Sequence, residues 1–502
     1  MARLVARAHL HFVTPRLPSR DGAVPRSNTA KDMPKPDVLV THFGASGTGE
    51  ALDTAPIQAA IDAAAAQGGG QVRFPPGKYL SGTVFLRSNV SLYFESGATL
   101  LGSHRLEDYS PEVALFVDAV GQQRGRCLIL AHAVEHVGLE GDGVIHGNGA
   151  AFLEPEKYAG RPFLIRFVAC ADVFVRDLLL RDSAAWVSHF EGCDHVRVEN
   201  VTIRSRVNHN NDGIDIDSCS DVLVEGCDID TGDDAICLKA TLIKPCENVR
   251  VRNCRLSSGC GAIKLGTESY GDFRNITINH CEIYDTGLCG IKVLNMDGAI
   301  MEDVLISGIT MVRTTGPLFV RLGDRGRTYG QANDDRRPPG KIRRLTLRDI
   351  KATVQVPSNS IKNPYTNVNQ PPKAFSGVLI TGIPGRPIED LLLENVEISF
   401  VGLGVERDAA AEPTEQISDY PEHYYFGVLP SWGFFLRHLV GVRLSQVRIS
   451  TQNSDERPSL ACEDVTGFRL DGWRELNDQE ARPIRYRNTR GVLIDGKPLL
   501  NK

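Results

Sequence analysis

Asp221-Val222-Leu223-Val224-Glu225-Gly226-Cys227 returns as Asn248-Val249-Arg250-Val251-Arg252-Asn253-Cys254 and again as Asn275-Ile276-Thr277-Ile278-Asn279-His280-Cys281, 27 residues apart each time. Looser copies flank these three. They begin at Asp172, His195 and Asp303, and fainter ones lie near Arg344, Asp390 and Gly441. The first apolar residues are Val173, Val196, Val222, Val249, Ile276 and Val304, so the period runs from 23 to 28 residues. Within each copy apolar and polar residues alternate, the mark of a strand with one buried face. A fixed period in the twenties marks a solenoid. The LxxLxL spacing of leucine-rich repeats is absent, and no helical periodicity separates the strands, which excludes βαβ units. A parallel β-helix remains, one coil per repeat, with rungs about 4.8 Å apart. Cys227, Cys254 and Cys281 then form an inward-facing ladder.

Composition narrows the function. The 502 residues carry a net charge of −6 and only 7% aromatics, so neither the electrostatics nor the base-stacking surface of a nucleic-acid binder is present. No apolar run reaches the roughly 18–20 residues that span a membrane. The 12 cysteines show no CxxC pair and fall mostly in apolar strand-like runs. They read as small reduced core residues rather than zinc ligands. The Arg-rich residues 1–32 lack the apolar segment of about 7–15 residues that a secretory signal needs. That stretch reads as an extension, ahead of a start at Met33, with a transit peptide as the alternative. A cytoplasmic setting is favoured over a periplasmic or secreted one.

A solenoid must cover its open ends. The segment 53–66 predicts a helix there, with Asp53 or Thr54 as N-cap, Ile57, Ala60, Ile61 and Ala64 facing the first coil, and Gly68 onward as its stop. Segments 324–341, 355–374 and 403–430 break the pattern and read as long loops thrown from the coil.

Four coils carry a second alignable strand, anchored at Ile214, Ile236, Ile263 and Ile291. Side chains alternate along a strand, so Asp215, Cys237, Lys264 and Lys292 share one outward column. Two steps before the anchors stand Asp212 and Asp234, on neighbouring coils, with Asp233 beside them. Carboxylates about 5 Å apart repel, so at least one should hold its proton. A protonated acid beside an ionised one is what glycosidic cleavage uses. The same spacing also fits a solvated acidic face, turn residues or a calcium site.

These residues resemble the polygalacturonase-like family 28 glycoside hydrolases, in the pectin-lyase-like right-handed β-helix class. Asn210-Asn211-Asp212-Gly213-Ile214-Asp215 is similar to the family's Asn-Thr-Asp stretch, and Gly232-Asp233-Asp234 to its Asp-Asp stretch. The segment Asp182–His189 with Trp186, the opening Phe43-Gly44-Ala45 and the late segment Tyr420–Phe434 fit as well. The resemblance implies an all-β fold: a single right-handed coil of about ten turns over residues 37–450, with a helical cap. Residues 1–36 are then an extension and 451–502 C-terminal strands and tail packed on the coil's end. It implies Asp233 as general acid, Asp212 and Asp234 as the pair that activates water, inversion at the anomeric carbon, and no cofactor or metal. Two motifs depart. The family His falls at Cys260, and the family Arg of Arg-Ile-Lys at Gly290, leaving only Lys292. Lys264, Glu268 and Arg321 are the candidate replacements. His189 and Asn211 join them as expected substrate-site residues, and Trp432, Tyr424 and Tyr425 as candidate sugar-stacking rings.

The expected function is hydrolysis of α-linked, pectic, uronic-acid- or rhamnose-containing oligo- or polysaccharides. A lyase or epimerase on the same coil is the alternative enzyme, kept open by Lys264 and Lys292. A non-catalytic glycan-binding coil leaves the convergence of three aspartates unexplained. Lys292 is expected to pair with a substrate carboxylate rather than only to tune an aspartate.

Overall fold

The structure is a computed structural model, and it describes residues 37–111, 114–154, 160–330, 335–356, 376–476 and 482–499. The expected extension 1–36 and nearly all of the loop at 355–374 lie outside the described residues. Strands dominate and pair in parallel from coil to coil. One ladder joins Val173, Val196, Val222, Val249 and Ile276 in register, and continues through Val304, Leu345, Leu391, Val442 and Phe468. The fold is a parallel β-helix, and the anchors of the 23–28-residue repeat are Cα partners.

The polar residue that opens each repeat has a backbone reason. Asp172, His195, Asp221, Asn248, Asn275 and Asp303 all sit at φ between +52° and +57°. Asn and Asp enter that left-handed region more readily than other residues with a Cβ. These corners also stack: Asn248 Nδ2 donates to Asp221 Oδ1 at 3.1 Å, and Asn275 Nδ2 to Asn248 Oδ1 at 2.7 Å. Inside the corners one continuous apolar core runs through the coil. Each fully buried Val or Ile contributes about 1.5–3 kcal/mol. Cys227, Cys254 and Cys281 lie in that core, and all twelve cysteines are buried and unbridged.

The helix Thr54–Ala66 buries Ile57, Ala60, Ile61 and Ala64. Its Gln58 amide bridges the N–H and carbonyl of Phe85 at 2.8 and 3.0 Å, pinning the helix to a strand edge. Asp53 is the N-cap residue, as expected, but its side chain makes no cap bond. Asp53 turns back to accept from the N–H groups of Ser46 and Gly47, at 2.6 and 3.2 Å, and Thr54 Oγ1 accepts from Gly82 N–H at 2.8 Å. The coil does not stop at 450, because Leu460–Asp471 pairs in parallel with the strand before it. Among the described residues no helix is long and apolar enough to cross a membrane.

Two excursions from the coil matter for function. Phe116–Val117 and Gln123–Arg124 form a small hairpin whose Asp118 is held by Arg124 at 2.7 Å. Residues 401–433 form an irregular segment with two short 3-10 turns, Glu406–Ala410 and His423–Phe426. Buried Arg321 ties this segment down, donating to the carbonyls of Glu415 and Gln416 at 2.5 and 3.1 Å.

Candidate active site

The strand ladder over residues 188–293 sets the outward residues in columns. His189, Asp215, Cys237, Lys264 and Lys292 are successive partners, as are Glu191, Asp217 and Lys239. Asp212 and Asp234 occupy equivalent places one coil apart, since Gly213 N–H bonds Asp234 O at 2.9 Å and Val187 N–H bonds Asp212 O at 2.8 Å. Asp233 is fixed by its own carbonyl, which accepts from the hydroxyls of Thr231 and Ser258 at 2.8 and 2.6 Å. All three aspartates line a cavity of about 220 Å³. Lys239, Lys264 and Glu268 line it too, with Trp186, the hairpin residues Asp118–Val120, and Tyr420, Glu422, Tyr424 and Tyr425 from the late irregular segment.

The carboxyls differ sharply in environment. Lys264 Nζ lies 2.6 Å from Asp234 Oδ2, and Gly261 N–H donates to Oδ1 at 2.9 Å. Burial pushes the Asp234 carboxyl up, but Lys264, Lys292 and the hydrogen bond outweigh it and hold it well below the usual carboxylate range. A Cβ at Gly261 would stand 3.0 Å from Asp234 Oδ1 and 3.2 Å from Lys292 Cδ, so the close approach needs glycine there. Asp212 goes the other way. Burial, then the charges of Asp233 and Asp215, drive its carboxyl well above the ordinary value. Asp215 is fully buried and is pushed up to about 8 by burial, against the pull of Lys239. Two members of the trio are thus pushed in opposite directions, Asp234 toward the ionised form and Asp212 toward the protonated one.

Lys239 was not among the expected residues, and it is central. Its ammonium lies 3.2 Å from Glu268, 3.4 Å from Asp215 and 3.8 Å from Asp212, and 4.3 Å from the Trp186 ring centre. The signal was its outward parity, two residues beyond Cys237 on the strand that Asp234 leads into. Glu422 was also missed, because nothing periodic marks residues 401–433.

The expected binding residues divide. Lys264 and Glu268 line the cavity. Lys292 does not: it is fully buried, with Nζ 2.8 Å from both oxygens of Glu422 and 3.3 Å from Cys260 Sγ. Its ammonium is paired with Glu422, at the place where a substrate carboxylate was expected. His189 is buried behind Trp186, accepting at Nδ1 from Arg166 at 3.2 Å, with Nε2 3.6 Å from Asp217. Burial lowers its pKa to about 4, so it stays neutral. Asn211 braces backbone, donating to the carbonyls of Ser183 and Ala185 at 2.9 and 3.0 Å. Arg321 holds the loop rather than the cavity, and Trp432 packs in the coil's interior against Phe400. Tyr424 and Tyr425 do reach the cavity. Asp233, Asp234 and Cys260 bring donor atoms within 4.8 Å of one another, but the Lys264 ammonium already supplies positive charge to Asp234.

The model of glycosyl hydrolases family 28 matches residues 84–392, and that of the rhamnogalacturonase A/epimerase, pectate lyase-like family matches residues 38–102. A probable polygalacturonase of Vitis vinifera is 31% identical over 213 residues, covering 39% of this chain and 43% of that protein. The exo-poly-alpha-D-galacturonosidase of Dickeya chrysanthemi is 26% identical over 262 residues, covering 42% and 43%. The chain thus spans less than half the length of these curated relatives. The exopolygalacturonase of Thermotoga maritima superposes with a TM-score of 0.61 at 22% identity, over 73% of this chain and 88% of that one, a likeness of fold. With the family model covering well over half of its residues and the paired aspartates on one face of the coil, the chain belongs to glycosyl hydrolases family 28.

Proposed function

We propose that the chain is an inverting glycoside hydrolase that cleaves α-linked pectic glycans containing uronic acid or rhamnose. One observation carries the reading: two carboxyls of a single cavity stand in opposite settings, Asp234 2.6 Å from the Lys264 ammonium, which holds it low, and Asp212 buried among other carboxyls, which hold it high. In this reading Asp234 takes a proton from the attacking water. Asp233 gives one to the departing glycosidic oxygen, and Asp212 helps Asp234 hold the water. The water oxygen bonds to the anomeric carbon as the carbon–oxygen bond to the leaving sugar breaks. Elimination instead asks for a cation free to neutralise the uronate. Among the described residues lining the cavity, Lys239 and Lys264 are each committed to carboxylates. We read the scaffold as right-handed, of about ten turns, with the helix Thr54–Ala66 closing its first turn. The buried, unbridged cysteines support a reducing compartment.

The test is product analysis on defined pectic oligosaccharides. The expected result is new reducing ends of inverted configuration, undiminished by EDTA. A retained anomer would replace water attack by a glycosyl-enzyme route. An ultraviolet-absorbing unsaturated uronate that requires calcium would move the site to elimination.

A further inference from the structure

Glu422 reaches the cavity from a segment 130 residues further along the chain than its partner Lys292. Both its oxygens lie 2.8 Å from Nζ of Lys292, an ammonium with no exposed surface, while Glu422 itself is 6% exposed and lines the cavity. The segment that carries it is pinned at the next residue, where His423 Nε2 meets the Gly377 carbonyl at 2.9 Å. A paired, desolvated ion of this kind is not readily exchanged, because stripping one partner leaves the other charge buried and uncompensated.

We propose that Glu422 fills, from within the chain, the anion position that Lys292 would otherwise offer a substrate, so that the sugar bound in this cavity is neutral rather than a uronate. The proposal rests on the glycoside hydrolase reading above and names the substrate class of that site. The remaining charges agree. Lys264 is spent on Asp234 at 2.6 Å, and Lys239 on Glu268 at 3.2 Å. Glu422 in turn is held by Lys292, so among the described residues each of these lysines already has a carboxylate partner. A substrate carboxylate brought here would be desolvated with no cation left to pair with, which is how a site rejects the wrong ligand. A sugar whose polar groups are hydroxyls has no such penalty. Its C–H faces suit the rings of Tyr420 and Tyr425, and its hydroxyls can donate to the carboxylates.

The experiment has two arms. Wild-type enzyme is titrated calorimetrically with galactose, rhamnose and galacturonate. Its kcat/KM is then compared between an α-linked oligogalacturonide and the same oligomer after carboxyl reduction. The expected result is at least tenfold tighter binding of one neutral sugar than of galacturonate, and at least a tenfold preference for the reduced oligomer. Glu422→Gln, which frees the charge of Lys292 while keeping the side chain's shape, should move both ratios at least tenfold toward the acid. Tighter galacturonate binding by the wild type, or a wild-type preference for the acidic oligomer, overturns the proposal, as do ratios unchanged in a folded Glu422→Gln enzyme. Loss of fold in that variant leaves the wild-type ratios to decide. If neither oligomer is cleaved, the hydrolase reading fails, and the binding arm still judges the neutral-sugar inference. Binding in which neither neutral sugar exceeds galacturonate counts against it.

Discussion

Lys264→Met removes the ammonium 2.6 Å from Asp234 Oδ2 in a place where both side chains are almost wholly buried. At an effective dielectric of about 20, two unit charges at that distance attract by about 6 kcal/mol. Desolvation of the two ions takes back much of this. The remainder corresponds to a shift of about 1–3 pKa units, or about 1.4–4 kcal/mol. The sign follows from the direction of the native shift. Asp234 is depressed, so its ionised form contributes stability that is fully present above the unfolded value of about 3.9 and is lost as pH falls through the lower native value. Without Lys264, burial and the neighbouring carboxyls dominate, and the carboxyl rises toward neutrality. The acid limb of kcat against pH should therefore move up by about 1–3 units. On the acid side of the shifted limb, activity should fall by about 10- to 1,000-fold, the ratio that 1–3 units sets, and recover substantially near pH 8. Reducing-sugar release across the pH range reads this directly, with a melting curve at each pH to exclude unfolding. A loss of equal size at every pH would refute the view that Lys264 acts by holding Asp234 ionised.

Asp212→Asn, Asp233→Asn and Asp234→Asn should each lower kcat at least about 100-fold. Asp212→Asn should hold or raise the melting temperature, because it relieves crowding among carboxyls, whereas Asp234→Asn should cost about 3–5 kcal/mol by stranding the buried Lys264; urea unfolding separates the two. The Asp215 carboxyl is raised to about 8, so the native state binds a proton that the unfolded state has released, and stability should decline as pH rises from about 4 to about 8. Asp215→Asn should flatten that decline, measured as melting temperature against pH. Arg321→Ala should raise KM and destabilise the fold by about 3 kcal/mol or more, from charged hydrogen bonds of about 1.5–3 kcal/mol each; an unchanged KM would show that the loop keeps its place without it.

The period of the sequence carried the register through because a strand permits only one inward parity. Once Ile214, Ile236, Ile263 and Ile291 are aligned, Asp212 must fall beside Asp234, and the ladder has them so. Lys239 obeyed the same parity and was overlooked one step past the column that was followed. The partners of Lys292 and Arg321 were of another kind. Glu422 and the carbonyls of Glu415 and Gln416 come from an irregular segment whose path no period encodes. Lys292 and Arg321 therefore read as exposed binding cations until that segment was seen to cover them. Asp53 stands at the N-cap as its position implied, but its carboxylate makes no cap bond, since the turn at Ser46–Gly47 competes for it.

A stack of coils is in principle a chain of nearest-neighbour contacts, free to fray from either end without troubling its middle. The segment 401–433 changes that. It leaves the coil after Phe400, reaches back to Lys292 through Glu422, is gripped by Arg321 and Arg437, and rejoins at Phe434. It works as a strap that fastens late turns of the spring to earlier ones. Loosening of the last turns is then felt at a cavity whose aspartates lie some two hundred residues upstream, and the middle of the coil cannot keep a finished pocket unless its distant end is wound.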